Sequence, residues 1–520
     1  MLNPSICVVL FRGHDFRSDY GQLHILKKVF PRVPLLALTA TAPAALTADV
    51  QRILLLDHQS CVVMRAPSDR PNIFYEVLQK PQSDADTLAA LYDWLKTHGF
   101  LGGSNHNVNS TNVFESSVLN ESPSSGIIYC YSRKDADSLA ASLQSLGVTA
   151  GAYHAGQEDS EKERVHSKWL SGSISIVCAT VAFGLGIDKP NVRFVIHVCL
   201  PKSTEAYYQE SGRAGRDGLP ARVALFFSPG DAIKMAALCH SDRSGVAPLR
   251  VMQRFAMVSR DSLGRSACRR KFLARELGDC QDDLDRVDCR MGCDVCSRAT
   301  ETSKFGPSRQ AVDATAAALV VLAALQAATS KSKKITFKGL VDDAVKLGKR
   351  QAKDYKKNKD DTDLSVVLDV SKCEWLCATL FLDNVLVEDY HYTAYSTIVY
   401  CAPGRNAPLL NAGARKVKLS LPEALTSANS NISTSLLSWE SSGSVHSKSK
   451  AKKRSGKLAE SSATDEVIHI DSDSDGKNHN KNVASWDFAA TKDSSEEDEN
   501  SRSDSDDDFV SLPSKSARKS

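Results

Sequence analysis

Short apolar runs alternate with helical patterns in the middle of the chain. Ile176–Ala179 and residues 194–197 are mostly apolar and have the length of buried parallel strands. Residues 126–134 begin as another apolar strand and end in a sequence suited to a helix start. The alternation of strand and helix over residues 126–228 predicts an α/β fold whose parallel sheet is covered on both faces.

Patterns elsewhere predict further elements. A strand is expected at residues 33–38 and a helix at 84–100, and beyond Gly230 the pattern turns helical. Further helices are predicted at 311–328, 337–347 and 370–383, followed by a hairpin at 385–400. Residues 103–125 and the residues after Pro422 are polar and lack periodicity, so we predict a disordered insertion and a disordered tail there.

Composition narrows the class of protein. With 520 residues, of which 42% are hydrophobic, the chain has room for three or four domains. The net charge of +3 means that any nucleic-acid binding depends on local patches. No apolar run of about eighteen residues occurs, so a membrane span is not expected. We do not interpret the N-terminal residues as a signal peptide, because they lack a basic start and a small-residue cleavage site. Fourteen cysteines, mostly within apolar strands, indicate a reducing compartment.

Two arginines three residues apart lie among small residues in the sequence QESGRAGRDG. On a helical turn, Arg213 and Arg216 would share one face. Planar guanidinium groups suit the oxygens of a phosphoryl group, so a phosphate site is predicted. The alternative is a solvated basic helix end.

The order of these motifs carries a resemblance. The sequence ATVAFGLGIDKP followed by YYQESGRAGRDG resembles motifs V and VI of superfamily 2 helicases, in the form found in the RecQ family. The resemblance implies that Arg213 and Arg216 are arginine fingers and that Gln209 helps to couple the site to DNA. It also implies a cofactor-binding loop that contains Gly184, Gly186 and Asp188.

The N-terminal part resembles only the end of a first helicase lobe. Residues 12–20 resemble the aromatic-rich loop of RecQ helicases, which implies DNA contacts by His14, Phe16 and Arg17. LTATA at 38–42 matches motif III, and residues 68–75 match the RecQ signature at the exit from that lobe.

The nucleotide cradle of such helicases is not found in this sequence. Neither G-x-x-x-x-G-K-[ST] nor the Asp-Glu-Ala-His box occurs, and we interpret DEVIH at 465–469 as coincidence. We therefore expect an N-terminally truncated chain that alone hydrolyses no ATP.

Residues 126–134 resemble helicase motif IV, and the loop at 151–156 resembles one that meets the backbone of single-stranded DNA. His154 in this loop is either a DNA contact or an ordinary surface residue.

A cysteine pattern predicts a metal site. Cys289, Cys293 and Cys296 have C-x3-C-x2-C spacing, and a fourth thiolate from a preceding helix would complete a closed tetrahedral zinc site. Cys268, followed by two basic residues, matches the RecQ pattern, whereas Cys280 is the alternative fourth ligand. Disulfide pairing is the competing interpretation. The expected role of zinc is structural.

Residues 311–421 fit a winged-helix domain. The hairpin at 385–400 resembles the wing of the short animal RecQ-like helicase, in which a tip aromatic helps to part the duplex. Tyr395 is the first match for that residue and Tyr392 the second, although both could simply pack the strands. The lysine-rich runs 331–338 and 346–359 are either phosphate contacts or solvated faces.

The tail contains three short motifs. Residues 448–454 form a basic cluster of the nuclear-import type. The segment that starts at Val467 and ends at Asp471 resembles a SUMO-interacting motif, which could add a strand to a sheet edge of SUMO or a sumoylated protein. Serines among acidic residues, near 494 and 503–508, resemble acidophilic kinase sites.

The sequence therefore predicts a RecQ-type ATP-dependent 3′–5′ DNA helicase of DNA repair, recombination and replication. ATP, Mg and Zn are the implied cofactors, single-stranded and forked DNA the implied partners, and the nucleus the implied location. The alternative is a catalytically inactive DNA-binding module or isoform fragment. The predicted regions are a first-lobe remnant at 1–79, a RecA-like second lobe at 80–228, a zinc-binding subdomain at 229–300, a winged-helix domain at 301–421 and a tail at 422–520.

Overall fold

The structure is a computed structural model of the chain, which divides into two compact units, Met1–Asp471 and Ser472–Ser520. It describes residues 7–10, 22–39, 44–57, 59, 61–101, 124–184, 187–242, 244–257, 268–289, 292–297, 312–358, 364–394, 396–422 and 425, all within the first unit. Several predicted sites lie outside the described residues: His14, Phe16, Arg17, Gly186, Tyr395, nearly all of the insertion 103–125, and the tail motifs at 448–454, 467–471 and 494–508.

A six-stranded parallel sheet forms the centre of the first unit. Its spatial order is β3-β8-β7-β4-β6-β5, and every neighbouring pair is parallel. The strands are β3 (Ile73–Gln79), β4 (Ser125–Tyr129), β5 (Ala150–Tyr153), β6 (Ile176–Ala179), β7 (Val192–His197) and β8 (Ala221–Phe227). The helices that accompany them are α3 (Asp84–Thr97), α4 (Arg133–Ser145), α5 (Asp159–Ser171), α6 (Thr204–Ser211) and α7 (Pro229–Cys239). The predicted α/β fold with a parallel sheet is confirmed.

Burial on both faces explains the continuous apolar strands. Adjacent residues of β4 point to opposite faces, so Ile127 packs in one core cluster and Ile128 in the other. A Cβ on Gly126 would lie 2.0 Å from the ring of Phe194 on β7, so glycine is required for this close approach. The helix predicted after β4 begins with a capping box between Ser132 and Asp135.

A separate pair of parallel strands lies near the N-terminus. β1 (Cys7–Leu10) pairs with β2 (Leu35–Leu38), and α1 (His24–Val29) and α2 (Ala44–Ile53) belong to the same part of the chain. The strand predicted at 33–38 is therefore present as β2.

Three helices lie between the sheet and the cysteine-rich loop, whose described residues are 289 and 292–296. They are α8 (Ala247–Met257), α9 (Arg269–Glu276) and α10 (Gln281–Arg286). Apolar side chains of α8 and α9 join the core cluster on one face of the sheet. The amide N of Tyr75 on β3 donates to the carbonyl of Gly292 at 3.3 Å, which attaches the cysteine-rich loop to the free edge of the sheet.

The C-terminal described part combines helices with a three-stranded antiparallel sheet of order β10-β12-β11. The strands here are β9 (Val312–Asp313), β10 (Ile335–Thr336), β11 (Leu386–Tyr392), β12 (Thr397–Pro403) and β13 (Lys418–Leu419). The helices are α11 (Thr315–Thr329), α12 (Phe337–Asn358), α13 (Ser365–Leu368), α14 (Val370–Leu382) and α15 (Ala407–Asn411). The predicted helices and hairpin are all present, but α12 runs eleven residues beyond the predicted end at 347.

This part packs on the parallel sheet through buried side chains. Trp375 of α14 meets Phe227 of β8 edge to face, with ring centroids 5.6 Å apart. The buried amide of Gln253 on α8 donates to the carbonyl of Ala378 at 3.1 Å. None of the helices in the described part is both long and apolar enough to cross a membrane.

Candidate functional site

The two motif arginines lie on a turn rather than on a helix. Helix α6 ends at Ser211, and residues 212–219, hereafter the arginine turn, continue as successive turns. Gly215 adopts a φ of +57°, a left-handed conformation that favours glycine and ends the helical path. The prediction that Arg213 and Arg216 share a helical turn is therefore wrong.

Both arginines nevertheless reach the same loop, the one that follows β6. Arg213 is buried, with 5% of its surface exposed, and donates to the carbonyl of Gly184 at 2.7 Å. Arg216 donates to the carbonyl of Ile187 at 3.0 Å and to the carboxylate of Asp188 at 2.9 Å. The Arg216 side chain is 37% exposed and that of Asp188 81%, so this pair is open to solvent. Arg216 is the one of the two that can exchange its partner without unpacking a core.

Backbone hydrogen bonds join the arginine turn to the start of β7. The amide of Gly215 donates to the carbonyl of Val192 at 2.9 Å, and that of Asp217 to the carbonyl of Pro190 at 3.3 Å. Arg193 forms a two-pronged ion pair with Asp217, at 2.7 and 2.6 Å. These bonds fix the turn to the start of β7.

A segment that sequence reasoning assigned no part in the site also holds the turn. Arg70 donates to the carbonyls of Gly212, Ala214 and Gly215, at 3.3, 3.1 and 3.0 Å. The arginine turn and the loop after β6 are therefore held by four guanidinium groups but contain only two carboxylates that pair with them. The guanidinium groups are those of Arg70, Arg193, Arg213 and Arg216, and the carboxylates are those of Asp188 and Asp217. The excess positive charge suits a phosphate group.

The other predicted residues of this region are placed as follows. Gln209 lies half-buried on α6. His154 is buried, and its Nε2 lies 3.0 Å from both carboxylate oxygens of Asp137. The interpretation of His154 as an ordinary surface residue is wrong, and its predicted DNA contact stays a prediction.

Four sulfur atoms come together beyond β3. The Sγ atoms of Cys268, Cys289, Cys293 and Cys296 all lie within 4.8 Å of one another. Tetrahedral zinc with Zn–S bonds of about 2.3 Å separates its sulfurs by about 3.8 Å, so the set has the chemistry and spacing of a zinc site. Cys280, the alternative ligand, is exposed and donates to Asp283 at 3.0 Å outside this set.

Groups around the four cysteines fit thiolate ligands. Backbone amides of Lys271 and Cys296 donate to the sulfurs of Cys268 and Cys293, each at 3.5 Å. Hydrogen bonds of this kind, from backbone N–H groups to sulfur, orient metal-bound thiolates. A Cβ on Gly292 would lie 2.8 Å from Nη1 of Arg270 and 3.1 Å from the carbonyl oxygen of Cys289, so a side chain there would have to displace the Arg270 guanidinium.

The hairpin β11–β12 presents tyrosines beside helix α7. The ring of Tyr390 stacks on that of His240 with centroids 4.4 Å apart, and the hydroxyl of Tyr392 lies 3.0 Å from Nε2 of His240. Tyr392 is 67% exposed. An ion pair between Arg250 on α8 and Glu388 on β11 also joins the hairpin to α8. Burial lowers the pKa of Arg250 to about 10.

Comparison with known proteins agrees with these motifs. Residues 110–218 match the family described as the helicase conserved C-terminal domain. Over 397 residues, the chain is 38% identical to a putative ATP-dependent DNA helicase Q1 of Caenorhabditis briggsae. This alignment covers 75% of the present chain and 56% of the relative. It is also 35% identical to the mouse ATP-dependent DNA helicase Q1 over 417 residues, which covers 80% of this chain and 57% of that protein.

The chain thus spans little more than half the length of these relatives. Among solved structures, a DEAD box protein from Methanococcus jannaschii aligns with a TM-score of 0.30 and 20% identity, over 49% of this chain and 59% of that one.

Proposed function

Because this chain is related to the RecQ family of superfamily 2 DNA helicases along most of its length, we propose that it supplies the second-lobe half of an ATP-dependent, 3′–5′ DNA helicase. The observation that supports the proposal is the contact between the arginine turn and the loop after β6. Each motif arginine bonds to a residue 29 positions before it, Arg213 to Gly184 and Arg216 to Ile187.

Arg216 would act on a nucleotide held by another helicase lobe, and Arg213, the other predicted arginine finger, would support the loop that Arg216 contacts. In P-loop enzymes, ATP with Mg²⁺ supplies the phosphoryl group and the charge that arginine fingers stabilise. Arg216 can leave the exposed carboxylate of Asp188 for a phosphate oxygen, whereas the buried Arg213 keeps the loop at Gly184 in place. Release of Asp188 from Arg216 would then let the loop after β6 shift when nucleotide binds, which would couple nucleotide binding to DNA binding.

Zinc is the second proposed cofactor. Cys268, Cys289, Cys293 and Cys296 would hold it, and its role would be to tie α9 to the loop that packs on β3. A closed set of four thiolates leaves no open position for substrate, which favours a structural zinc over a catalytic one.

DNA is the proposed substrate, and the hairpin is its proposed contact. The exposed ring of Tyr392 can stack on a base at a fork, and the described lysines of α12 can contact phosphates. We also propose Tyr395, His14, Phe16 and Arg17 as DNA contacts, by resemblance. Nuclear import through residues 448–454 and SUMO binding through residues 467–471 remain proposals of the same kind.

A matched pair of variants tests the DNA contact. Tyr392→Ala removes the exposed ring, whereas His391→Ala removes the neighbouring ring on the opposite face of β11. We expect Tyr392→Ala to weaken binding of forked DNA by about 1–3 kcal/mol, measured by fluorescence anisotropy at fixed salt. Equal affinities of the two variants would remove Tyr392 from the interface.

A second candidate function is a non-catalytic DNA-binding module. It is favoured by one observation, that the 520 residues contain no G-x-x-x-x-G-K-[ST] sequence. Measurement of DNA-stimulated ATP hydrolysis by the 520-residue polypeptide, alone and joined to a P-loop-bearing lobe, distinguishes the two.

A further inference from the structure

Residues 68–72, hereafter the clamp segment, lie between the arginine turn and the four-cysteine cluster and bond to both regions. Toward the turn, Arg70 donates to three carbonyls, and the amide of Asn72 donates to the carbonyls of Gly215 and Leu219 at 2.8 and 2.9 Å. Carbonyls beyond a helix end lack intrahelical donors. The clamp segment therefore provides side-chain donors where the backbone of the turn needs them.

The fit between the clamp segment and the turn is close. A Cβ on Gly215 would lie 2.5 Å from Nδ2 of Asn72 and 2.8 Å from the carbonyl oxygen of Leu219. The hydroxyl of Tyr208, on the helix that leads into the turn, donates to the carbonyl of Ser68 at 2.6 Å. A displacement of the clamp segment must therefore move the turn or break several of these bonds together.

The opposite side of the clamp segment bonds to the cysteine-rich region. The carboxylate of Asp69 accepts from Arg270, with one contact of 2.7 Å from Nε and a second from Nη2. The backbone and hydroxyl of Ser68 both donate to Asp279 at 2.9 Å. The Arg270 side chain is 4% exposed and that of Asp69 18%. Loss of Asp69 would therefore leave the Arg270 charge buried without its carboxylate partner.

Arg270 connects the two segments that carry the cysteines, namely the start of α9 after Cys268 and the loop around Cys289. It lies two residues after Cys268, and its Nη1 donates to the carbonyl of Asp288, next to Cys289, at 3.4 Å. Its guanidinium also fills the space above Gly292. Arg270 therefore contacts Asp69 while its guanidinium also lies against Asp288 and Gly292, beside Cys289 and Cys293. A metal bound by the four thiolates would hold the start of α9 and these residues together.

We propose that the clamp segment transmits the state of the four-cysteine cluster to the arginine turn, with Arg70 and Asn72 as positioning residues for Arg213 and Arg216. Cys268, Cys289, Cys293 and Cys296 would hold the metal, and in that state Arg270 would be ordered against Asp69 while Arg70 and Asn72 hold the turn. Loss of the metal releases the turn without unfolding the parallel sheet. The catalytic meaning of this link rests on the proposed function, but the link itself does not.

Hydrogen–deuterium exchange of the full chain tests the link, since it needs neither nucleotide nor DNA. Amides of the arginine turn donate to backbone carbonyls, so their exchange reports its order. In the wild type, chelation of zinc is expected to raise exchange in peptides covering 212–219 by about tenfold, with little change in peptides covering β4 and β6. Unchanged exchange at 212–219 after chelation would overturn the proposal.

Asp69→Asn separates the link from the metal site. It leaves all four cysteines intact, so the variant should bind one zinc per chain, yet show the raised exchange at 212–219 even when loaded. Asp93→Asn, the same change at an exposed position of α3, is the control and should behave as wild type. Asp69→Glu, which keeps the carboxylate, should recover most of the protection. If Asp69→Asn retains wild-type exchange, or if exchange in β4 and β6 rises equally, the clamp segment does not transmit the metal state.

Discussion

Two glycines of the arginine turn differ in their surroundings although both have positive φ. Gly215 has φ +57° and lies against Asn72 and Leu219, whereas Gly218 has φ +80° and has nothing within 4 Å of the position that a Cβ would occupy. The requirement at Gly215 is therefore steric as well as conformational.

Substitution of each glycine by alanine separates these two effects. Both variants incur a left-handed backbone cost of roughly 1 kcal/mol. Gly215→Ala should lower the free energy of unfolding by about 1–3 kcal/mol more than Gly218→Ala, because only the former forces atoms apart. Urea unfolding of the two variants measures this, and equal losses would show that Asn72 and Leu219 yield easily.

Individual site residues were predictable only where a motif marked them. Arg213, Arg216 and Asp188 were identified from sequence, and the structure brings them together with Gly184. The sequence does not mark Arg70 as part of the site, although Arg70 lies within the RecQ signature at 68–75. It bonds to carbonyls 142 to 145 residues away, and backbone acceptors leave no trace in a sequence.

At the scale of elements, strands were predicted best. Both β6 and β7 are continuous runs of buried residues, which the length and apolar content of their sequences indicated. Helix ends were less predictable. The helix predicted at 311–328 begins only at Thr315, whose amide donates to Asp313 at 3.0 Å. The sequence predicts an end of α12 at 347, yet the lysine-rich residues that follow remain helical to Asn358.

The carboxyl group of Glu374 on α14, which contacts the segment before α3, makes a pH-dependent contribution to the stability of the fold. Burial, and secondarily the carboxylate of Asp342, raises the pKa of Glu374 from 4.5 to about 7. Between those values the folded state binds more protons than the unfolded state, so stability falls as pH rises through this window. The amide of Gln82 donates to Glu374 at 3.1 Å.

Glu374→Gln should remove this dependence. The variant is expected to gain stability over wild type as pH rises from 5 to 8, by on the order of 1 kcal/mol, because Glu374 is only half-buried and solvent screens its charge. Unfolding midpoints over this pH range measure the gain. Glu163→Gln, an exposed position on α5, is the control. A constant difference between Glu374→Gln and wild type would contradict the assignment.

The cysteine cluster offers another test at the scale of an element. Cys296→Ser leaves three thiolates and should lower zinc affinity by about 100-fold or more, beyond the roughly 10–100-fold cost of a change outside the ligand shell. Cys280→Ser, outside the four-sulfur set, should retain one zinc per chain. Zinc content measured by atomic absorption decides between them. Loss of zinc in Cys280→Ser would restore Cys280 as a ligand.

At the scale of the molecule, the order of helicase motifs indicated the family, and the relatives agree with it. The motif order does not predict which regions of the chain pack against one another. Attachment of the cysteine-rich loop to the edge strand β3, of the hairpin to α7 and α8, and of the clamp segment to both neighbours depends on contacts between residues more than a hundred positions apart. Sequence periodicity reports which face of an element is buried, not which element buries it.

The most direct test of the account is DNA-stimulated ATP hydrolysis, measured on the 520-residue polypeptide and on the same polypeptide joined to a P-loop-bearing helicase lobe. We predict no hydrolysis by the former and DNA-dependent hydrolysis by the latter, with Arg216→Ala lowering kcat by about 10³-fold, the loss expected if Arg216 acts as an arginine finger. Arg164→Ala, an arginine paired with Glu161 on α5, should leave kcat unchanged. Turnover by the 520-residue polypeptide alone at the rate of a complete helicase, or equal turnover of the two arginine variants, would contradict the account.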